Sequence, residues 1–181
     1  TLNDSHRTAE PSLRFDNTAS TNNVETAAGT LDLGAGDFTI VQWLKTDKHP
    51  THSSANYSIF TSTSGSDGRS YIQQTSANTD NPLVAAHIRS DSGASVASLT
   101  TASGDWQHGV WKQLVLTCVR TGTGVGMKLY FDGVEVTSNT TDTSAVAIKN
   151  TNGTFRIGNS DTNYQYGGEI KHTSIHNRAL D

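Results

Sequence analysis

The sequence predicts an all-β domain, a two-sheet antiparallel β-sandwich of the jelly-roll type. Three observations predict it. Short apolar stretches recur at close spacing, divided by Gly, Asn, Asp, Ser and Thr, the residues of turns. Asp132-Gly133 lies between Phe131 and Val134, and Asn152-Gly153 lies between Ile148 and Phe155, each a signal for a two-residue hairpin. No stretch carries sustained helical periodicity bounded by caps.

The elements follow in order. Residues 1–12 are polar and read as an extended N-terminal arm. Residues 13–181 read as a single domain. Residues 12–15 form a short edge strand, followed by a polar loop anchored by Val24. Leu31 and Leu33 precede a Gly-Ala-Gly turn. Residues 37–45 form a strand apolar on both faces, with Phe38, Ile40 and Leu44 in one set and Val41 and Trp43 in the other. Such a strand is central and covered on both sides. Strands follow at 58–61, 70–74, 83–89 and 94–100. Gln113 to Arg120 puts Leu114, Leu116 and Cys118 on one face. The Asp132-Gly133 hairpin then sets Phe131 opposite Val134 and Leu129 opposite Val136, with Lys128, Tyr130, Glu135 and Thr137 on the other side. A slip of one residue would mix the two sets. Shorter strands at 145–149 and 155–157 lead to a last strand at 169–176. Leu114, Leu116, Leu129, Phe131, Val134 and Ile157 are the expected core.

Composition excludes several functions. The chain has 181 residues, enough for one domain with a sizeable core. Its formal net charge of -4 offers no electrostatic footprint for nucleic acid. No apolar run approaches the roughly 20 residues of a membrane-spanning helix. Cys118 is the single cysteine, so no disulfide forms within the chain. Its place in an apolar strand makes it a buried small hydrophobe rather than a nucleophile. A thiol-poor, Thr/Ser/Asn-rich chain fits a bacterial or viral surface protein better than a disulfide-stapled secreted module. Thr1 is not an initiator methionine, which raises the expectation of a processed chain or a piece of a longer one.

Two loops carry candidate ligand-binding residues. Trp106 sits on a polar loop, where an indole face can stack on a sugar ring or plug the end of a sandwich. Asp161, Asn163, Tyr164 and Tyr166 gather hydrogen-bonding and stacking groups in a second loop; the alternative is that the tyrosines cap the core. His49 and His52 are three apart, but Pro50 between them argues for a loop, and no metal constellation surrounds them.

Three pieces in order carry a resemblance. They are LRFDN with GAGDFTIVQWLKT (13–17 and 34–46), GVWKQLVLT…KLYFDGVEV (109–136), and FRIGN…GGEIKHTSIHNRALD (155–181). The set resembles a laminin-G-like module of the concanavalin A-like lectin/glucanase superfamily. The resemblance implies two antiparallel sheets of six or seven strands. It also implies a structural calcium near Asp16 in many relatives. In the closing segment, however, the family's Asp-Glu pair is Lys171 and His172, a cation where calcium needs oxygen ligands. No cofactor is therefore expected, and structural calcium is disfavoured.

Enzymes of this superfamily provide a test. A glycosidase needs two carboxylates flanking the bond. The four glutamates, Glu10, Glu25, Glu135 and Glu169, are scattered, and acid–x–acid is absent from every expected strand. Lyase chemistry would need a neutralising Arg or Gln with His and Tyr. Its closest approach is His87 and Arg89 with Tyr71 and Gln73, Gln73 being set against His87 across the sheet. The expected function is a non-catalytic, surface-exposed binding or adhesion module for glycans or a cell-surface receptor. It would act outside the cell or on a virion. The alternative is a structural virion component, such as a knob, decoration or tail-spike domain contacting capsid or tail proteins, or an oligomerising spacer. A stable homotrimer would accompany that alternative.

Overall fold

The computed structural model describes residues 11–16, 23–27, 30, 32–48, 57–64, 68–75, 79–89, 95–145, 148–149, 154–161 and 164–180. Residues 1–10 of the expected arm at 1–12 and the His49/His52 pair lie outside them. The strands are β1 (Leu13–Asp16), β2 (Val24–Glu25), β3 (Asp32–Gly34), β4 (Phe38–Thr46), β5 (Tyr57–Ser64), β6 (Gly68–Thr75), β7 (Leu83–Arg89) and β8 (Ser95–Thr100). They continue as β9 (Lys112–Val119), β10 (Gly126–Phe131), β11 (Val134–Asn139), β12 (Ile148–Lys149), β13 (Phe155–Ile157), β14 (Asn159–Asp161), β15 (Tyr164–Gln165) and β16 (Gly167–His176).

Two six-stranded antiparallel sheets form the sandwich. The first runs β1-β16-β4-β9-β10-β11, and the second runs β2-β13-β5-β6-β7-β8. The pairs β12-β3 and β14-β15 form their own two-stranded ladders. Because side chains alternate across a strand, each strand gives one parity to the shared interior. From the first sheet come Ile40, Leu44, Leu114, Leu116, Leu129 and Phe131, and from the second Ile72, Val84, Ala86, Ile88 and Leu99, all buried. Strand β4 lies between β16 and β9, the central place its two apolar faces predict.

The hairpin forms at Asp132-Gly133, with φ of 51° and 81°, the left-handed pair of a type I′ turn. Asp132 also accepts the Gln113 backbone N–H at 2.9 Å and pairs with Lys112 at 2.8 Å, which ties the turn to β9. Phe131 faces Val134 as expected. Leu129, however, faces Thr137 and not Val136, because the register shifts between Leu129 and Tyr130. The bulge leaves Val136 as an extra residue that packs against the core. Val134 is 65% exposed, correcting its place in the expected core: β11 is the sheet's edge, and no described residue covers its outer end. Ile157 is half-buried against the core.

Two polar groups organise the end of the sandwich near β3. The Asp37 carboxylate accepts the backbone N–H groups of Arg120 at 2.7 Å and Thr121 at 3.0 Å. Arg120 is itself buried and donates to the carbonyls of Gly34 and Thr143. The hydrogen bond from the Arg120 backbone, opposed in part by desolvation, holds the Asp37 carboxyl below the usual carboxylate value.

Three outcomes test this description. Leu129→Ala should cost about 2–5 kcal/mol by leaving a cavity, whereas Val134→Ala should lie within about 0.5 kcal/mol of the parent; chemical denaturation compares them. Gly133→Val should lower the melting temperature far more than Thr137→Val, because a β-branched residue resists φ of 81°. Asp37→Asn should remove stability that is present above the unfolded carboxylate value and fades as pH falls through the lower folded value. The gap between parent and variant in urea unfolding should therefore close toward strongly acid pH, and a gap constant with pH would contradict the assignment.

Candidate ligand-binding face

The structure first locates the residues marked out in the sequence. Trp106 is fully buried, its ring edge-on to Phe131 at 5.2 Å and 75°. Both faces of the indole are spent on the sandwich interior, so it plugs the core and gives no platform to a sugar. Tyr166 is also buried, edge-on to Phe15 at 5.8 Å, with its hydroxyl donating to the Lys45 carbonyl at 3.1 Å. Burial pushes that hydroxyl's pKa well above the ordinary tyrosine value. Gly168, at φ 142°, lets β16 pass here: a Cβ would meet the Lys45 carbonyl oxygen at 2.1 Å. Asp161 and Tyr164 are backbone partners across β14 and β15, and their side chains, like Asn163 altogether, lie outside the described residues.

A different group of side chains converges on the outer face of the second sheet. Ile72, Ala86 and Ile88 face the interior, so Tyr71, Gln73, Ala85, His87 and Arg89 must face outward. The register sets Tyr71 against His87 and Gln73 against Ala85, which corrects the expected Gln73–His87 pair by one step of the ladder. The imidazole and phenol rings lie 4.6 Å apart, tilted by 34°. Arg89 donates to the Tyr71 hydroxyl at 3.0 Å, with its guanidinium 5.2 Å from the Tyr71 ring centre. This is not an open sheet surface. Gln73 is 8% exposed and Ala85 is 3% exposed. Desolvation, with the Arg89 charge second, holds the His87 imidazole below its ordinary value. The face therefore offers two rings, an amide and a guanidinium on two rigid, paired strands. Among the described residues of β6, β7 and β8 there is no carboxylate.

The outer face of the first sheet holds a second aromatic group, already satisfied within the protein. The Lys171 ammonium lies 4.7 Å from the Trp111 ring centre and 5.8 Å from that of Trp43. Lys45 lies 5.4 Å from the Trp111 ring centre and pairs with Glu169 at 2.5 Å. Ser12 donates to the same carboxylate at 2.7 Å. Strand β16 shifts register between Lys171 and Ser174, and His172 takes a positive φ of 51° at this bulge. The positions of the family's acid pair thus carry a lysine committed to indoles and a histidine in a bulge. Among the described residues no group of three or more His, Cys, Asp or Glu could hold a metal ion. These residues do not fit a calcium site.

The outward cluster has a sequence signal: Tyr-x-Gln and His-x-Arg on neighbouring strands, two apart in each. The alternation shows that each pair shares a face. It does not show that the face is sheltered, or that Tyr71 rather than Gln73 meets His87.

Comparison with known proteins agrees with this architecture. A family model described as the concanavalin A-like lectin/glucanases superfamily matches residues 17–181. A search of curated proteins found no match. Among solved structures, the binding domain of Paraclostridial Mosquitocidal Protein 1 is similar at a TM-score of 0.71 and 14% identity. That likeness covers 94% of this chain and 41% of the other, so the chain spans about two fifths of that protein's length. The CBM40 of the Ruminococcus gnavus IT-sialidase, bound to α2,3-sialyllactose, is similar at 0.60 and 17% identity, over 90% of this chain and 95% of that one. Domain 4 of AbnA, an extracellular arabinanase from Geobacillus stearothermophilus in complex with arabinotriose, is similar at 0.59 and 16% identity, over 94% and 72%. Such identities speak to the fold. The match to residues 17–181, together with the two six-stranded sheets, places this chain in the concanavalin A-like lectin/glucanase superfamily as a laminin-G-type domain.

Proposed function

We propose that this chain is a non-catalytic, surface-exposed binding module that holds a glycan on the outer face of β6 and β7. The observation that carries the reading is the sheltered cluster of Tyr71, Gln73, His87 and Arg89 on two paired strands. Sugar recognition needs fixed donors and acceptors beside an apolar surface, in a site partly screened from water. The phenol and imidazole rings supply the surface, and the Gln73 amide and Arg89 guanidinium supply the polar groups. The absence of a carboxylate among the described residues of these strands speaks against the acid pair of a glycosidase. The loop carrying Asp161, Asn163 and Tyr164 is a candidate second contact, because β14 and β15 pack against β5, the strand beside β6. The similar domains crystallised with sialyllactose and arabinotriose support the same class of ligand. Such a module works outside the cell or on a virion surface. The alternative reading is a structural part contacting capsid or tail proteins, with a homotrimer as its form.

Retention on a panel of immobilised glycans tests the proposal. Retardation without product is expected, with no absorbance at 235 nm and no new reducing ends. Tyr71→Ala should weaken binding at least tenfold, about 1.4 kcal/mol, while the melting temperature stays near the parent's. Chelator should leave both retention and melting unchanged. Product formation that disappears in His87→Ala would make the protein an enzyme. A stable trimer retained on none of the glycans would make it a structural part.

A further inference from the structure

We infer that Arg89 is the seat of a carboxylate, so that the glycan held on this face is an acidic one, carrying a uronate or a sialate. The inference rests on the binding face proposed above and adds the chemical class of its ligand. Three of the other six arginines give the contrast. Arg14 pairs with Asp47 and Glu169, and Arg156 pairs with Glu25 at 2.9 Å. Arg120 is buried on two carbonyls beside Asp37. Among the described residues the Arg89 guanidinium has no acidic or carbonyl partner: it makes one hydrogen bond, to the Tyr71 hydroxyl.

This happens in a chain whose formal net charge is -4, where acids outnumber bases. A guanidinium carries five N–H donors in a planar fork that matches a carboxylate edge-on. The fork is fixed in place by the Tyr71 hydroxyl and ring. The Arg89 Nε is shielded from water and has no partner, so the group is only partly solvated by what surrounds it. His87 lies on the same strand and the same face, two residues away, and is also partly desolvated. Two nitrogen-rich groups therefore share a half-dry face on which the described residues of β6, β7 and β8 place no acid. An incoming carboxylate completes the pair. A neutral sugar leaves the guanidinium as it is.

The experiment uses matched probes that differ only at the carboxylate. One pair is trigalacturonate and its carboxyl-reduced form; the other is 3′-sialyllactose and lactose. Affinities are measured by titration calorimetry at low salt with the whole chain. In at least one pair, the acid should bind at least tenfold more tightly than its neutral partner, and the preference should shrink as sodium chloride is raised. The pair that responds distinguishes a uronate from a sialate. Arg89→Gln should abolish the preference, bringing the acid's affinity down to that of its neutral partner in the same variant, and Arg89→Lys should keep part of it. Melting curves of both variants verify folding, and the probe comparison itself needs no variant. Equal affinity for acid and neutral partners, or a preference that survives Arg89→Gln, would overturn the inference and leave the binding face standing. Binding of none of the probes, neutral or acid, would overturn both.

Discussion

Alternation is the constraint on which this molecule depends. Two six-stranded sheets share one interior, and each strand surrenders every second side chain to it. Once Ile72, Ala86 and Ile88 are committed inward, Tyr71, His87 and Arg89 have no choice but to meet on the other side. The proposed recognition face is thus the complement of the core. Its precision comes from the packing beneath it, because side chains on paired strands are held more tightly than side chains on loops. A substitution at Ala86 that enlarged the interior would shift the opposite face as well.

The sequence was most legible where the determinants are local. The Asp132-Gly133 turn needs only its own two residues to declare itself, and β4 declares its central place through apolar residues of both parities. The expected set of Leu114, Leu116, Leu129 and Phe131 is buried for the same reason. What escaped is set by partners far along the chain. Val134 follows the turn's rule for pairing but lies on an edge strand, and being at an edge is a property of the sheet order, not of the residue. Trp106 looks identical in sequence whether it stacks on a ligand or on Phe131, since a polar loop can fold over either. The pairing of Tyr71 with His87 depends on a register that the polar loop between β6 and β7 leaves open. A bulge such as that beside Leu129 inserts a residue with no mark in composition.

The closing strand shows how a family pattern can survive while its chemistry changes. Gly168 still allows close passage of β16 against Lys45, and Ile170 still enters the core. At the bulge, Lys171 lies against Trp43 and Trp111, which suits a cation that is attracted to the faces of electron-rich rings. An ammonium over two indoles fixes the same region that an ion with oxygen ligands would fix, by a bond that a chelator cannot reach. Lys45 and Glu169 continue the arrangement toward β1 through Arg14. Side chains thereby carry local order at this end of the first sheet.

Cys118 has a consequence of a different kind. It is fully buried on β9, its Sγ 3.7 Å from the Thr143 hydroxyl, and burial lifts its thiol pKa to about 11. A thiol so placed has almost no thiolate at neutral pH and no path to an oxidant or to a second molecule. The folded chain can enter an oxidising medium without cross-linking to its neighbours, and it has no disulfide to lose in a reducing one. The same atom becomes reactive only when the two sheets part. Uptake of a thiol reagent would then count openings of the whole sandwich, giving the protein an internal gauge of its own integrity that no engineered label would need to supply.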